Sequence, residues 1–129
     1  MRGPILVDTS VWIDFFKGTE TVQVKILVEY LENDDSIYIC PTIIREILQG
    51  ITNDNQYKKI KDYLLCFGVL NDDSLESALG AVKIYRYLRK KGISIRKSND
   101  CLIAQYAFKY SLKILHSDRD FDMIVDNYK

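Results

Sequence analysis

Apolar residues in this chain fall into two kinds of run. Four are short: Ile5-Leu6-Val7, Ile37-Tyr38-Ile39-Cys40, Phe67-Gly68-Val69-Leu70 and residues 112–115. The first is unalternating and reads as a strand buried on both faces, as in a parallel sheet covered by helices. Between the strands, apolar residues recur at helical spacing. Residues 11–17 read as a short helix stopped by Gly18. Residues 21–32 place Val24, Leu27, Val28 and Leu31 on one face. Pro41 suits the first position of a helix over 42–51, with Ile44, Ile47, Leu48 and Ile51 inward. The helix expected over 53–66 turns Tyr57, Ile60, Leu64 and Tyr63 inward, and a long one over 75–91 offers Leu75, Leu79, Val82 and Tyr85 as its core stripe. Ser98-Asn99-Asp100 opens a further helix, and residues 123–129 read as a short strand or tail. Strands alternating with helices predict an α/β fold with a mainly parallel sheet, in a single domain over 1–129.

Composition narrows the class. With 129 residues, 47% hydrophobic and 28% charged, the chain can bury a core without disulfides or a structural metal. Cys40, Cys66 and Cys101 are odd in number and form no C-x-x-C pair, against a disulfide framework or a zinc site. A soluble protein of the reducing cytoplasm is expected, with no secretory leader and no membrane span. Charge changes the picture more. The total is +0, yet Lys83, Arg86, Arg89, Lys90, Lys91, Arg96 and Lys97 follow one another with no acid between them. Lys83, Arg86 and Lys90 align on one helix face and Arg96-Lys97 continue the run, a pattern that fits contact with phosphates.

The compensating acids stand where open parallel sheets do chemistry. Asp8 follows the first strand directly, and ligands of such sheets gather outside the carboxyl ends of strands. Asp is also a favoured helix cap, so Asp8 alone decides nothing. Glu46 lies less than two turns past the second strand. Asp100 shares a helix face with Ile103, Ala104 and Ala107, so its carboxylate points to the core side and needs backbone N–H groups or a metal as partner. Asp118, Asp120 and Asp122 crowd the end of the fourth strand, with Asp118 nearest. Four carboxylates from Asp8, Glu46, Asp100 and Asp118 at one sheet edge either take up protons or bind a divalent cation. All-oxygen ligands suit Mg²⁺ or Mn²⁺, whereas zinc would want histidine or cysteine. A metal backed by basic residues points to phosphate esters. Two-histidine acid–base cleavage of RNA is excluded, because His116 is the single histidine. Hydrolysis leaving a 5′-phosphate and a 3′-hydroxyl is therefore expected.

Four segments in order carry a family resemblance: residues 7–14 (VDTSVWID), 42–47 (TIIREI), 98–104 (SNDCLIA) and 117–121 (SDRDF). Together they resemble the PIN-domain ribonucleases, in particular the VapC-like toxins of toxin–antitoxin pairs, across nearly the whole chain. The resemblance implies a three-layer α/β/α fold around a four- to five-stranded sheet, and usually a homodimer. It implies Asp8, Glu46, Asp100 and Asp118 as acidic metal ligands, with Asp120 as a further candidate, and Thr9, Ser10 and Ser117 as groups that position water or phosphate. It also implies an endoribonuclease that cuts structured RNA such as transfer or ribosomal RNA with Mg²⁺ or Mn²⁺, silenced by a small antitoxin. Two other enzyme or signalling classes fit worse. Haloacid-dehalogenase-like phosphatases need a second Asp where this chain has Ser10, and receiver domains need an acidic pair where it has Asp8 alone. The remaining rival is a PIN-like scaffold that binds RNA or protein without cleaving.

Overall fold

The computed structural model describes residues 3–128. β1 (Ile5–Val7), β2 (Ile37–Ile39), β3 (Gly68–Val69) and β4 (Lys113–Leu115) form one parallel sheet in the order β3-β2-β1-β4. Ile5 pairs with Ile37 on one side of β1, and Leu6 with Ile114 and Val7 with Leu115 on the other. The central strand β1 is fully buried, which accounts for its unbroken apolar run.

Each connection is helical. α1 (Thr9–Lys17) and α2 (Val22–Glu32) join β1 to β2, and α3 (Pro41–Leu48) and α4 (Asp54–Leu64) join β2 to β3. α5 (Ser74–Lys90) and α6 (Ser98–Lys109) lead back across the sheet to β4, and α7 (Arg119–Asn127) follows it. Since crossovers are right-handed, a chain that moves one way from β1 to β3 and then returns past β1 must place its helices on opposite faces. The packing agrees: α1 to α4 contact one another, and so do α5, α6 and α7. The result is a three-layer α/β/α arrangement. Its strand order reverses between β1 and β4, so the crevice beyond the carboxyl ends of those two strands is the switch point where ligands gather.

Local chemistry sets most boundaries as expected. Asp8 caps α1 by accepting from the Ser10 N–H, so the helix starts at Thr9 rather than at residue 11. Gly18 ends it in the left-handed region, at φ 75°. Thr21, Asn53 and Asp73 cap α2, α4 and α5 in the same way, and Pro41 stands at the start of α3.

Four expectations need correction. The short strand or tail expected over 123–129 is replaced by helix: α7 runs to Asn127, capped by Asp118, and buries Phe121 and Ile124 one helical turn apart, while Lys129 lies outside the described residues. In α3 the buried residues are Ile43 and Ile47, with Ile44 only half-buried. On α4, Ile60 and Leu64 are inward but Tyr57 and Tyr63 are exposed. The largest departure is on α5, where Leu75, Leu79 and Val82 are 67%, 61% and 51% exposed. The core face of α5 is instead Ser77, Ile84 and Leu88. Small residues on this side let α6 approach closely: a Cβ at Gly80 would meet the Gln105 side-chain oxygen at 3.2 Å. A pattern read by residue size picks the wrong side, because the tight side carries Ser, Gly and Ala.

This assignment of faces is testable by urea unfolding of dilute, monomeric protein. Ile84→Ala should cost about 2–5 kcal/mol through transfer and cavity terms. Leu79→Ala should stay within about 0.5 kcal/mol, as for an exposed position.

Candidate functional site

β1 and β4 each end in a polar turn, and one hydroxyl ties the two together. Ser10 Oγ donates to Asp8 Oδ2 at 2.7 Å and accepts the Ser117 N–H at 3.3 Å. Asp8 also accepts the Ser10 N–H at 3.1 Å. From α3, Glu46 reaches the same edge and is held at both oxygens: Thr9 Oγ1 donates to Oε1 at 2.7 Å and Asn99 Nδ2 to Oε2 at 3.3 Å. α6 brings Asp100 in its first turn, where the helix dipole favours an anion. After β4, Asp118 caps α7 by accepting the Asp120 N–H at 2.9 Å.

The acids differ in how far they are satisfied. Asp8, Asp100 and Asp120 are buried, at 5%, 5% and 6% exposure. Asp100 Oδ2 and Asp120 Oδ2 have no hydrogen-bond partner among the described residues. Carboxylate oxygens of Asp100, Asp118 and Asp120 lie within 4.8 Å of one another. Asp120 therefore belongs to the tight group, and Asp8 and Glu46 border it, with Asp8 Oδ2 and both Glu46 oxygens already engaged. The cations facing the group are Lys97, 3.4 Å from Asp118, and Arg96, 3.8 Å from Asp118 and 3.5 Å from Asp120.

Burial and crowding leave their mark on the proton affinities. Desolvation raises Asp8 above the usual carboxylate range, against the lowering effect of its bonds to Ser10, with the Glu46 charge adding to the rise. Asp100 is pushed up to about 7, first by desolvation and then by the charges of Asp8 and Asp118. Asp118 is lowered, first by the Asp120 N–H and then by Lys97 and Arg96. Lys97 is raised in turn by Asp118.

The basic residues do not act as one stripe. Arg96 and Lys97 stand at the acids, whereas Lys83, Arg86 and Lys90 are exposed along α5. Lys83 shares a cavity with Gly80, Gln105, Phe108 and Tyr128, and Arg96 shares a different one with Ala81, Val82 and Tyr85. Lys83 thus lies on the other flank of α5, toward the far end of α6. Two residues of the site have no counterpart in the sequence reading. Asn99 clamps Glu46, and His116 Nδ1 accepts the Asp118 N–H at 3.2 Å while its Nε2 lies 3.2 Å from Asp122. Asn99 was signalled only by its place beside Asp100.

Comparison with known proteins gives a consistent family. The family model described as "PIN domain" matches residues 5–126. The chain is 35% identical over 121 residues to "Ribonuclease VapC11" of Mycobacterium tuberculosis, covering 93% of this chain and 90% of that one. Among solved structures, FitAcB from Neisseria gonorrhoeae superposes with a TM-score of 0.73 at 21% identity, covering 94% of this chain and 93% of the other. A toxin–antitoxin complex from Klebsiella pneumoniae gives 0.67 at 21% identity, covering 89% and 87%.

Asp100 makes stability depend on pH in the direction opposite to an ordinary paired carboxylate. Its folded-state value near 7 exceeds the unfolded 3.8, so the native state binds more protons and loses stability as pH rises between those values. Thermal scans of metal-free protein should show wild type losing stability from pH 4 to pH 7. Asp100→Asn should flatten that slope and gain about 1–2 kcal/mol at pH 8, after allowance for solvent screening at the open side of the site.

Proposed function

The chain belongs to the PIN-domain family, and on that premise we propose that it is an endoribonuclease, the toxin of a toxin–antitoxin pair, hydrolysing phosphodiester bonds in structured RNA such as transfer or ribosomal RNA with Mg²⁺ or Mn²⁺. The observation that carries this reading is the convergence of Asp8, Glu46, Asp100, Asp118 and Asp120 beyond the carboxyl ends of β1 and β4, with a buried Asp100 oxygen left without a hydrogen bond and the buried Asp120 oxygen met only by the exposed Arg96 at 3.5 Å. A buried carboxylate oxygen without a donor is costly unless a cation meets it. The donor set is all oxygen, which fits a hard divalent ion. Cys101, next to Asp100, offers no thiolate, since burial pushes its thiol up to about 11.

Asp100, Asp118 and Asp120 would hold a divalent cation, which would supply Lewis acidity for activating water and offsetting charge on the phosphate. The chain's own groups do the rest. Ser10 fixes Asp8 and the Ser117 backbone in one geometry, so the edges of β1 and β4 hold a constant spacing. Thr9 and Asn99 aim Glu46 at the same edge. Arg96 and Lys97 stand where a phosphodiester must approach and attract it electrostatically. His116 is occupied by the Asp118 N–H and by Asp122, which suits a structural rather than an acid–base role.

Partner surfaces adjoin the site. A groove lined by Ile13, Phe16, Ile47, Ile51 and Ile60 together with the polar Lys17, Thr52 and Gln56 also includes Glu46, a setting that suits an antitoxin segment lying across the active edge. The exposed Leu75, Leu79 and Val82 face of α5 supports a homodimer. Asp73 and Glu76 lie at its N-terminal end and Arg86, Arg89 and Lys90 at its C-terminal end, so two copies crossing antiparallel would oppose unlike charges.

Two measurements test the reading. Purified protein incubated with a small-RNA pool should give discrete cuts bearing 5′-phosphates with Mg²⁺ or Mn²⁺, and none with EDTA or in Asp100→Asn. Failure of a folded, antitoxin-free protein to cut would favour an RNA- or protein-binding scaffold. In light scattering, Leu79→Glu should convert a dimer to monomer with little change in secondary structure; an unchanged mass removes α5 as the interface.

A further inference from the structure

Arg96 and Lys97 pair with the half-buried Asp118, and Arg96 also with the buried Asp120, yet their own side chains are 71% and 65% exposed. Their contacts, between 3.4 and 3.8 Å, are long for charge-assisted hydrogen bonds, which close to about 2.7–2.9 Å. Such pairs are weak and exchange readily with solvent. Both residues come from the segment between α5 and α6, immediately ahead of Asp100. Lys97 occupies the N-cap of α6 and makes no side-chain cap bond. A Ser, Asp or Asn there would stabilise the helix, so the position forgoes local stability for an ammonium group at the acids.

We propose that Arg96 and Lys97 are releasable counter-charges: they pair with Asp118 and Asp120 until a divalent cation occupies the carboxylates, and are then freed to grip the RNA backbone. This rests on the reading of the site as that of a metal-dependent nuclease. Without a cation, Asp8, Asp100, Asp118 and Asp120 repel one another and Lys97 faces Asp118, Asp100 and Asp8 at once. A dication among them cancels that field and repels the guanidinium and ammonium nearby. The freed side chains keep long, flexible stems anchored beside the site, and a phosphodiester drawn to the cation arrives within their reach. Metal and RNA thereby become coupled ligands. Each tightens the other by the same factor, because RNA also draws the cations away from the acids. The same pairs weaken the hold of RNA on these two residues in the absence of metal.

The test has two readouts besides catalysis. Side-chain nitrogen NMR would follow Arg96 Nε and Lys97 Nζ while Mg²⁺ is added to protein alone, with the Asp100 and Asp118 carboxyl carbons as reporters of binding. Release predicts that both nitrogen signals move to the positions of unpaired side chains as the carboxyl signals saturate. In the second readout, a phosphorothioate RNA oligomer is titrated with and without Ca²⁺, used to suppress hydrolysis. Wild type should show about tenfold tighter RNA binding with Ca²⁺, falling to about twofold in Arg96→Gln/Lys97→Met, while the double variant binds Ca²⁺ alone more tightly than wild type. Carboxyl signals that respond while Arg96 and Lys97 stay paired would overturn the release and leave the nuclease reading intact. Carboxyl signals that never respond would overturn both. Unchanged Ca²⁺–RNA coupling in the double variant would overturn the hand-over to RNA.

Discussion

Carboxylates withdrawn from water and set against one another are expensive, and the crevice between β1 and β4 is built around that expense. Each acid there has a specific answer. Asp8 is met by the Ser10 N–H and hydroxyl, Glu46 by Thr9 and Asn99, and Asp118 by the start of α7 and by Lys97. For Asp100, desolvation and like charge outweigh the nearby Lys97, and its proton affinity shows it. The surrounding structure thereby carries a local loss of stability at one place in the crevice. Rigid strands make this feasible for Asp8 and Asp118, which follow β1 and β4 and cannot drift apart without breaking the β1–β4 pairing.

Much of this is written plainly in the chain. The unbroken apolar run of β1, the capping residue Asp8, Pro41 at the head of α3 and the buried spacing of Asp100 with Ile103, Ala104 and Ala107 are local signals, and local signals set local structure. What failed were judgements that depend on a neighbour. α5 turns its small side inward because α6 lies close against it, a fact that belongs to Gly80 and Gln105 together and to neither alone. α7 was hidden because the acids that begin it read as site chemistry, while its core contribution rests on only Phe121 and Ile124. Asp120 shows the same overlap of roles. It stands in the first turn of α7 and also lines the acid group, and only three-dimensional proximity to Asp100 distinguishes it from Asp122.

Charge illustrates the difference between a sum and an arrangement. A net of +0 conceals an acidic crevice with two cations at its lip and further cations spread along α5. The run from Lys83 to Lys97 looks continuous in one dimension, yet helical geometry divides it between two flanks, so its members meet different surroundings. Proximity to the acids gives Arg96 and Lys97 an electrostatic setting that the others lack.

The pairing of β1 with β4 also has a consequence for how the molecule comes into being. Val7 aligns with Leu115, so the acid crevice joins residues from opposite ends of the chain. A ribosome emits the segment bearing Asp8 first and the segment bearing Asp118 among the last residues of the sequence. A polypeptide that has not yet reached Asp118 therefore cannot assemble the crevice, and folding of the site waits on a contact far apart in sequence.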